Sequence, residues 1–332
     1  MRKKIRVIQY GLGTTSGTMA KFMLEREGIE IVGAIDIDKE KVGKDIGEVL
    51  GLDEKVGVIV SDDPDVVITK TKADIMVHGT VSFAPEVWSQ IAKAVEAGMN
   101  VITIAEEMAY PYVKYPKLAE EIDKKAKQHR VSVLGTGVNP GFAMDLLVLL
   151  ICGVCQQIRK IRVNRLVNFS PFPAPLLRKL GIGFTVDEFN EGRANGSILT
   201  FIGLLESMSM VADGLGWKLD EVKQTIVPVL TEKLIETPIE IEAGKTYGFD
   251  QSCRGIKNGQ EIIILEEFGR VGPGIDSKNT ISIEGVPNII ETMNIPPSDV
   301  TAAAHVVNLI PHVLKAKPGL ITMKDLHSIS LH

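Results

Sequence analysis

Residues Ile5 to Met19 read I-R-V-I-Q-Y-G-L-G-T-T-S-G-T-M. Ile5, Val7 and Ile8 make a β-branched run, Gly11 and Gly13 follow at once, and Met19, Phe22 and Met23 recur at helical spacing before Gly28. The pattern predicts a strand, a tight glycine turn and a helix. Glycine suits such a turn because the backbone must bend sharply and approach a pyrophosphate seated on the free amides of the helix N-terminus. The third glycine of a G-x-G-x-x-G pattern is here Ser16, with Gly17 one residue late, so the turn alone is a weak signal. The next strand, Ile29 to Ile35, strengthens it by running into Asp36, about 20 residues beyond the turn, where a carboxylate can bond both hydroxyls of an adenosine ribose. Together these residues predict a dinucleotide site formed by Gly11, Leu12, Gly13, Thr14, Thr15, Ser16 and Asp36. The plainer alternative has Asp36 capping its strand and the two glycines serving an ordinary βα turn.

Outward from that turn the alternation of strand and helix continues. Ala73 to Val77 is an apolar strand that exits through His78-Gly79-Thr80, at the carboxyl end of a parallel sheet, where such sheets bind ligands. His78, Gly79 and Thr80 are therefore expected cofactor contacts, against the plainer reading of His78 as a loop histidine satisfied by its neighbours. A helix from Ala84 to Ala97 leads to a strand from Asn100 to Ala105, which delivers Glu106 and Glu107. Successive strand residues point to opposite faces, so one of the two carboxylates is expected to face the cleft, with Glu107 preferred as a base. Otherwise both are solvated or cap the next helix. After a helix over Lys117 to Gln128, the strand at Val131 to Leu134 exits as Gly135-Thr136-Gly137-Val138-Asn139-Pro140-Gly141-Phe142. Asn139 can donate and accept at once, which suits a nicotinamide carboxamide, with Pro140 beside it.

Beyond Ile158 the texture changes. Ile161, Val163, Leu166 and Val167 alternate with polar residues, Ser170 to Pro175 is dense in proline and reads as an ordered loop, and Ile198 to Leu215 reads as a long helix. Strands are predicted at 226–229, 239–241, 247–255, 262–268 and 280–284. Runs of strands after a βαβ half indicate a largely antiparallel open sheet with one face on helices or on a twin subunit. Ser298 is expected to cap a final helix, with Pro311 kinking it, that packs back on the first domain. The fold class is thus α/β: an N-terminal Rossmann doubly wound parallel sheet (1–142), an α+β domain for substrate and oligomerisation (143–296) and a C-terminal helix (297–332).

Composition narrows the partners. The 332 residues carry 37 basic and 42 acidic side chains, a net charge of -5, with no basic stripe for nucleic acid and no polybasic membrane patch. No apolar run reaches the roughly 18 to 20 residues a membrane span needs, and the basic start leads into a strand too short for a signal-peptide core. A cytoplasmic chain acting on a small molecule is expected. Cys152 and Cys155 form a lone C-x-x-C in an apolar helical run, read as buried thiols rather than a metal or redox site.

Several stretches match one family pattern: R-V-I-Q-Y-G-L-G at the start, A-I-D-I at Asp36, A-E-E-M-A-Y-P at Glu106, G-T-G-V-N-P-G-F-A-M-D around Asn139, and V-N-L-I-P-H-V-L-K-A-K-P-G-L-I-T near the end. The chain resembles the 2,4-diaminopentanoate dehydrogenase family, related in fold to dihydrodipicolinate reductase and similar to native amine dehydrogenases. The resemblance implies NAD(P)-dependent oxidative deamination of the C4 amine of 2,4-diaminopentanoate to 2-amino-4-oxopentanoate and ammonia, a step of ornithine fermentation, reversible as reductive amination. The open second-domain sheet itself leads to the expectation of a homodimer joined through it. The H-H-x-x-K-x-D-x-P-S-G pattern of a true dihydrodipicolinate reductase is absent, and Phe201 precedes I-G-L-L-E-S where amine dehydrogenases of this group tend to have histidine.

A mechanism on these residues needs a carboxylate beside the nicotinamide, Glu107 or Glu106, and a cation for the substrate carboxylate. Arg162, Arg165, Arg178, Arg193 and Arg254 are the available forks, with Arg162 and Arg178 joining Asn139, Phe142 and Phe201 as expected substrate contacts. Asp36 repels a 2′-phosphate and favours NAD, while Lys39 nearby leaves NADP open. No metal is expected. Two alternatives stand beside this reading: a broad amine dehydrogenase acting on simple ketones, and a non-catalytic dinucleotide-binding protein.

Overall fold

A computed structural model describes residues 4–295 and 299–326. The chain divides into two compact units, Met1–Phe142 with Ser298–His332, and Ala143–Pro297.

The first unit alternates strand and helix: β1 (Ile5–Tyr10), α1 (Thr14–Glu25), β2 (Ile29–Ile35), α2 (Ile46–Val49), β3 (Val60–Ser61), α3 (Pro64–Lys70), β4 (Ile75–His78), α4 (Ala84–Glu96), β5 (Asn100–Thr103), α5 (Pro116–His129) and β6 (Ser132–Gly135). The second unit follows with α6 (Leu146–Cys152), β7 (Gln157–Asn168), α7 (Ala174–Lys179), α8 (Val186–Asn195), α9 (Leu204–Gly214), β8 (Glu221–Leu230), β9 (Ile235–Glu236), β10 (Glu240–Ile241), β11 (Thr246–Lys257), β12 (Gln260–Arg270), β13 (Lys278–Val286) and β14 (Ile289–Met293). The chain then returns to the first unit as α10 (Asp299–Val313) and β15 (Gly319–Ile321).

In the first unit seven parallel strands run in the order β15-β6-β5-β4-β1-β2-β3. Helices cover the sheet, so the central strands are apolar on both sides, as parallel strands must be. Ile8, Ile35, Met76, Val101 and Val133 from the strands meet Val87, Ile91 and Val95 of α4 and Ile122 of α5 in one core. The returning segment is tied in by side chains: Thr15 donates to Asp299, Arg26 donates to Asn308 at 2.7 Å, and Ser132 donates to the carbonyl of Lys317 at 3.0 Å.

The second unit is built on a six-stranded sheet, β14-β13-β7-β12-β11-β8, antiparallel except for the parallel β7–β12 pair. Along β7 the residues Ile161, Val163, Arg165 and Val167 are buried, while those between them stay half-exposed. The β11–β12 hairpin turns on Asn258 and Gly259, with φ of 52° and 73°, the left-handed pair that a two-residue type I′ turn requires.

Several boundaries differ from those expected. The helix expected from Ile198 begins only at Leu204, because Gly203 turns left-handed (φ 101°) at its N-cap, and Gln251 ties the preceding loop by donating to the carbonyl of Phe201 at 2.8 Å. The proline-dense stretch is loop only in its first half, since Pro173 is the N-cap of α7 and Pro175 lies in its first turn, where proline is tolerated. The strand expected to reach Ala105 ends at Thr103, and Glu106–Ala109 forms a 3-10 turn. Pro311 lies inside α10, which continues to Val313. Ser298 lies outside the described residues. Elements not anticipated are α8, opened by a reciprocal Thr185–Glu188 capping box, and strands β14 and β15.

Candidate functional site

At the carboxyl ends of β1 and β4 two glycines allow the loops to touch. Gly11 has φ 91°, and a Cβ there would run into the carbonyl oxygen of Gly79. A Cβ at Gly79 would in turn run into Oγ of Ser16, which donates to the carbonyl of Gly79 at 2.7 Å. The serine in the third glycine's place thus staples the two loops together. Gly13 is exposed with open space around its Cβ position, and α1 starts with no side-chain cap and no acidic residue in its first turn. Its free amides and positive dipole end fit a pyrophosphate.

Asp36 is more occupied than a lone ribose ligand. Its Oδ2 accepts from Leu12 N at 2.7 Å and lies 3.4 Å from Lys41 Nζ, while Oδ1 accepts from Asp38 N at 2.9 Å. The ribose and strand-capping readings therefore coexist in one carboxylate, and the lysine that meets it is Lys41. Leu12 is buried, and the hydroxyls of Thr15 and Ser16 are engaged by Asp299 and Gly79. Of the turn residues expected to hold the cofactor, those open to a ligand are Gly13 and Thr14.

His78 departs from the expectation of a cofactor contact. Its ring is fully buried, with Nδ1 2.9 Å from Thr103 Oγ1 and Nε2 2.7 Å from Gln90 Oε1. Burial pushes its pKa down to about 4, so the ring is neutral. Thr80 donates its hydroxyl into the same network, to Gln90. The satisfied histidine is what the structure contains, a brace between the exits of β4 and β5.

The paired carboxylates also require a correction. They lie on a 3-10 turn, so strand alternation does not separate them. Glu107 is buried: Oε2 accepts from Ala84 N at 3.0 Å, capping α4 from outside, and Oε1 meets Lys114 Nζ at 3.1 Å. Glu106 is half-buried. The turn sits so close to β6 that a Cβ at Gly135 would overlap the Met108 backbone.

The loop carrying Asn139 folds on itself. Gly141 (φ 123°) leaves no room for a Cβ against Gly137, and Thr136 N donates to Thr103 O at 2.9 Å. Behind it, His305 of α10 lies 3.2 Å from Thr136 Oγ1 with its ring 5.3 Å from that of Phe142. Burial pushes His305 down to about 4 as well. Asn139 and Phe142 are half-buried and Pro140 is buried.

In the second unit Arg162 pairs with Glu266 at 3.0 Å on the half-exposed face of the sheet, where Arg254 meets Glu266 and Glu261, each at 3.0 Å. Arg162 thus already has a carboxylate. Arg178 is exposed, donating to the carbonyls of Ile182 at 3.3 Å and Gly183 at 3.4 Å. Phe201 stacks into an aromatic cluster, 4.9 Å from Phe249 and 5.7 Å from Phe169. Arg165 lies on the opposite, inner face, its Nε 3.3 Å from Glu267 Oε1.

Residues 142–330 match the family of the 2,4-diaminopentanoate dehydrogenase C-terminal domain, and residues 5–104 match the dihydrodipicolinate reductase N-terminus. A 2,4-diaminopentanoate dehydrogenase of Acetoanaerobium sticklandii is 38% identical over 333 residues, covering 98% of this chain and 94% of the relative. The chain belongs to the 2,4-diaminopentanoate dehydrogenase family. As such it is an oxidoreductase. An amine dehydrogenase from Mycobacterium smegmatis has the same fold at a TM-score of 0.88, with 29% identity, covering 100% of this chain and 98% of that one. A dihydrodipicolinate reductase from Paenisporosarcina sp. TG-14 shares the fold at a TM-score of 0.52 and 13% identity, covering 97% and 99% of the two chains. Among the described residues of this family member no helix is long and apolar enough to cross a membrane.

Proposed function

We propose that the chain oxidises the C4 amine of 2,4-diaminopentanoate to 2-amino-4-oxopentanoate and ammonia, reducing NAD or NADP, and that the reaction reverses as a reductive amination. The observation that carries this reading is Glu106, a half-buried carboxylate at the carboxyl end of a parallel strand in a chain 38% identical to a 2,4-diaminopentanoate dehydrogenase.

A carbon gives up hydride only when its nitrogen has a lone pair to push, so the substrate ammonium must first lose a proton. Glu106 pairs with the ammonium, orients it and takes that proton. When bound, the oxidised nicotinamide supplies the hydride acceptor. Glu106 passes that proton on to solvent, then takes one from the water that adds to the resulting iminium and returns it to the nitrogen, so that the carbinolamine collapses to ketone and ammonia. The balance is one amine, one oxidised cofactor and one water consumed. Glu107 holds the turn that carries Glu106.

For the cofactor, the amides of Gly13 and Thr14 would meet the pyrophosphate, Asp36 the ribose, and Gly79, Thr80, Asn139 and Pro140 the nicotinamide side. Asp36 favours NAD, and Lys41 at 3.4 Å offsets part of its charge and leaves NADP admissible. The second unit takes the substrate, and its half-exposed sheet face pairs two copies in the cytoplasm. The likeness to the M. smegmatis amine dehydrogenase supports a second reading, a broad amine dehydrogenase acting on simple ketones. A spectrophotometric screen for NADH with a panel of diamino acids and plain amines separates the two. The first reading requires turnover to depend on the 2-amino and carboxylate groups, and equal turnover of pentan-2-amine would sink it.

A further inference from the structure

The hydrogen bonds that bury His78 run in one direction and end on a side chain beside the glycine turn. His78 and Thr103 pair across β4 and β5 at the exits of the two strands, and both are fully buried. Thr103 Oγ1 accepts from Ala105 N at 3.1 Å, which leaves its own proton for His78 Nδ1 at 2.9 Å. Nε2 of the same ring lies 2.7 Å from Oε1 of Gln90 on α4. An amide oxygen only accepts, so the single proton of the neutral ring sits on Nε2. Both ring nitrogens therefore call for the same tautomer.

Thr80 Oγ1 lies 2.5 Å from Gln90 Oε1 and 3.0 Å from His78 Nε2. Nε2 already carries its proton and cannot accept another, so the Thr80 hydroxyl donates to Gln90. Its methyl is held as well, since a Cβ at Gly11 would come within 3.1 Å of Thr80 Cγ2. Thr80 is thus pinned between the first glycine of the turn and Gln90, yet it is exposed. An unconstrained threonine hydroxyl donates or accepts as its ligand requires. This one has its only proton committed inward and turns a lone pair outward.

We propose that Thr80 accepts from a hydrogen-bond donor on the nicotinamide half of the cofactor, a ribose hydroxyl or the carboxamide N–H, and that Gln90, acting through it, is the positioning residue that fixes this polarity. This deepens the cofactor reading above and rests on it. An oxyanion, with no proton to give, is turned away at this point and left to the amides of the α1 N-terminus.

The test uses the full chain in calorimetric titrations. Thr80→Val keeps the shape and removes the oxygen; it is expected to raise the Kd of NAD about tenfold. The affinity for ADP, which ends short of the nicotinamide half, is expected to stay unchanged. Gln90→Leu should behave as Thr80→Val does, while Gln90→Glu, which keeps acceptor oxygens, stays within about twofold of the wild type. The double variant Thr80→Val with Gln90→Leu should lose no more than Thr80→Val alone, because the amide acts only through the hydroxyl. A glutamine that merely held α4 in place would weaken ADP too and add to Thr80→Val, and that result overturns the positioning role. In the acetylpyridine analogue of NAD a methyl replaces the amide nitrogen. A Thr80→Val penalty that persists with this analogue assigns the donor to the ribose, and one that vanishes assigns it to the carboxamide. Nitrogen NMR of the wild-type histidine side chains needs no variant to fold, and is expected to show His78 as the Nε2–H tautomer. An Nδ1–H tautomer, or NAD affinity unchanged in Thr80→Val, overturns the assignment to Thr80 alone. A wild type that binds neither NAD nor NADP overturns the cofactor reading and this assignment with it.

Discussion

At the scale of single residues, the proposed reaction gives Glu106 and Glu107 two different tasks, the base to the first and the support of its turn to the second. Glu107 is 4% exposed and bound on both oxygens, by Ala84 N and by Lys114. Removing its charge leaves the α4 cap in place but weakens the contact with Lys114, so Glu107→Gln is expected to cost about 1 kcal/mol in denaturant unfolding while retaining most turnover. Glu106→Gln is expected to do the opposite, abolishing ammonia release with NAD affinity, read by fluorescence titration, nearly intact. Reversed behaviour of the pair would move the base to Glu107. The dipeptide itself was legible in the sequence as two carboxylates at a strand's exit. Which one is committed to structure was not, because the chain leaves the strand at Thr103, three residues earlier than side-chain alternation would need.

At the scale of elements, the β1–α1 turn was legible from Gly11, Gly13 and Asp36, since glycine spacing and an acid at the second strand's end are local signals. The partners that complete it are not local. Ser16 reaches Gly79, Leu12 N reaches Asp36, and Thr15 reaches Asp299 of a helix 284 residues away. Strand β15 is three residues long and exists only by pairing with β6, so no period in the sequence announces it. The start of α9 was not legible, because Ile198 to Ile202 continue an apolar stripe that left-handed Gly203 interrupts. The turn makes its own prediction. Gly11→Ala adds both the strain of a left-handed alanine, about 1 to 2 kcal/mol, and a clash with the Gly79 carbonyl. Dinucleotide affinity by titration is expected to fall at least about tenfold, and an unchanged affinity would mean that the two loops are not held together by that approach.

At the scale of the whole molecule, the two units should answer differently to acid. None of the six histidines lies between residues 143 and 297, whereas the first unit buries His78 and His305, each held near 4 by burial. In the unfolded chain both titrate near the ordinary 6.5, so between about 6.5 and 4 the unfolded state binds more protons than the folded one. Stability of the first unit therefore falls as pH drops through that window, by about 2 to 3 kcal/mol for each histidine at the acid end. Asp45 and Asp325, whose carboxyls sit below their ordinary values, give a contribution that is lost only as pH falls below about 4, outside the window. The two tryptophans report the units separately, Trp88 in α4 of the first and Trp217 in the second. In urea titrations of single-tryptophan variants, the Trp88 midpoint is expected to drop steeply between pH 7 and pH 4.5 while the Trp217 midpoint moves less. Replacing His78 with glutamine, which keeps a neutral hydrogen-bonding side chain, should flatten the Trp88 profile. A profile unchanged by that substitution and by His305→Gln would show that neither ring is held neutral by the fold.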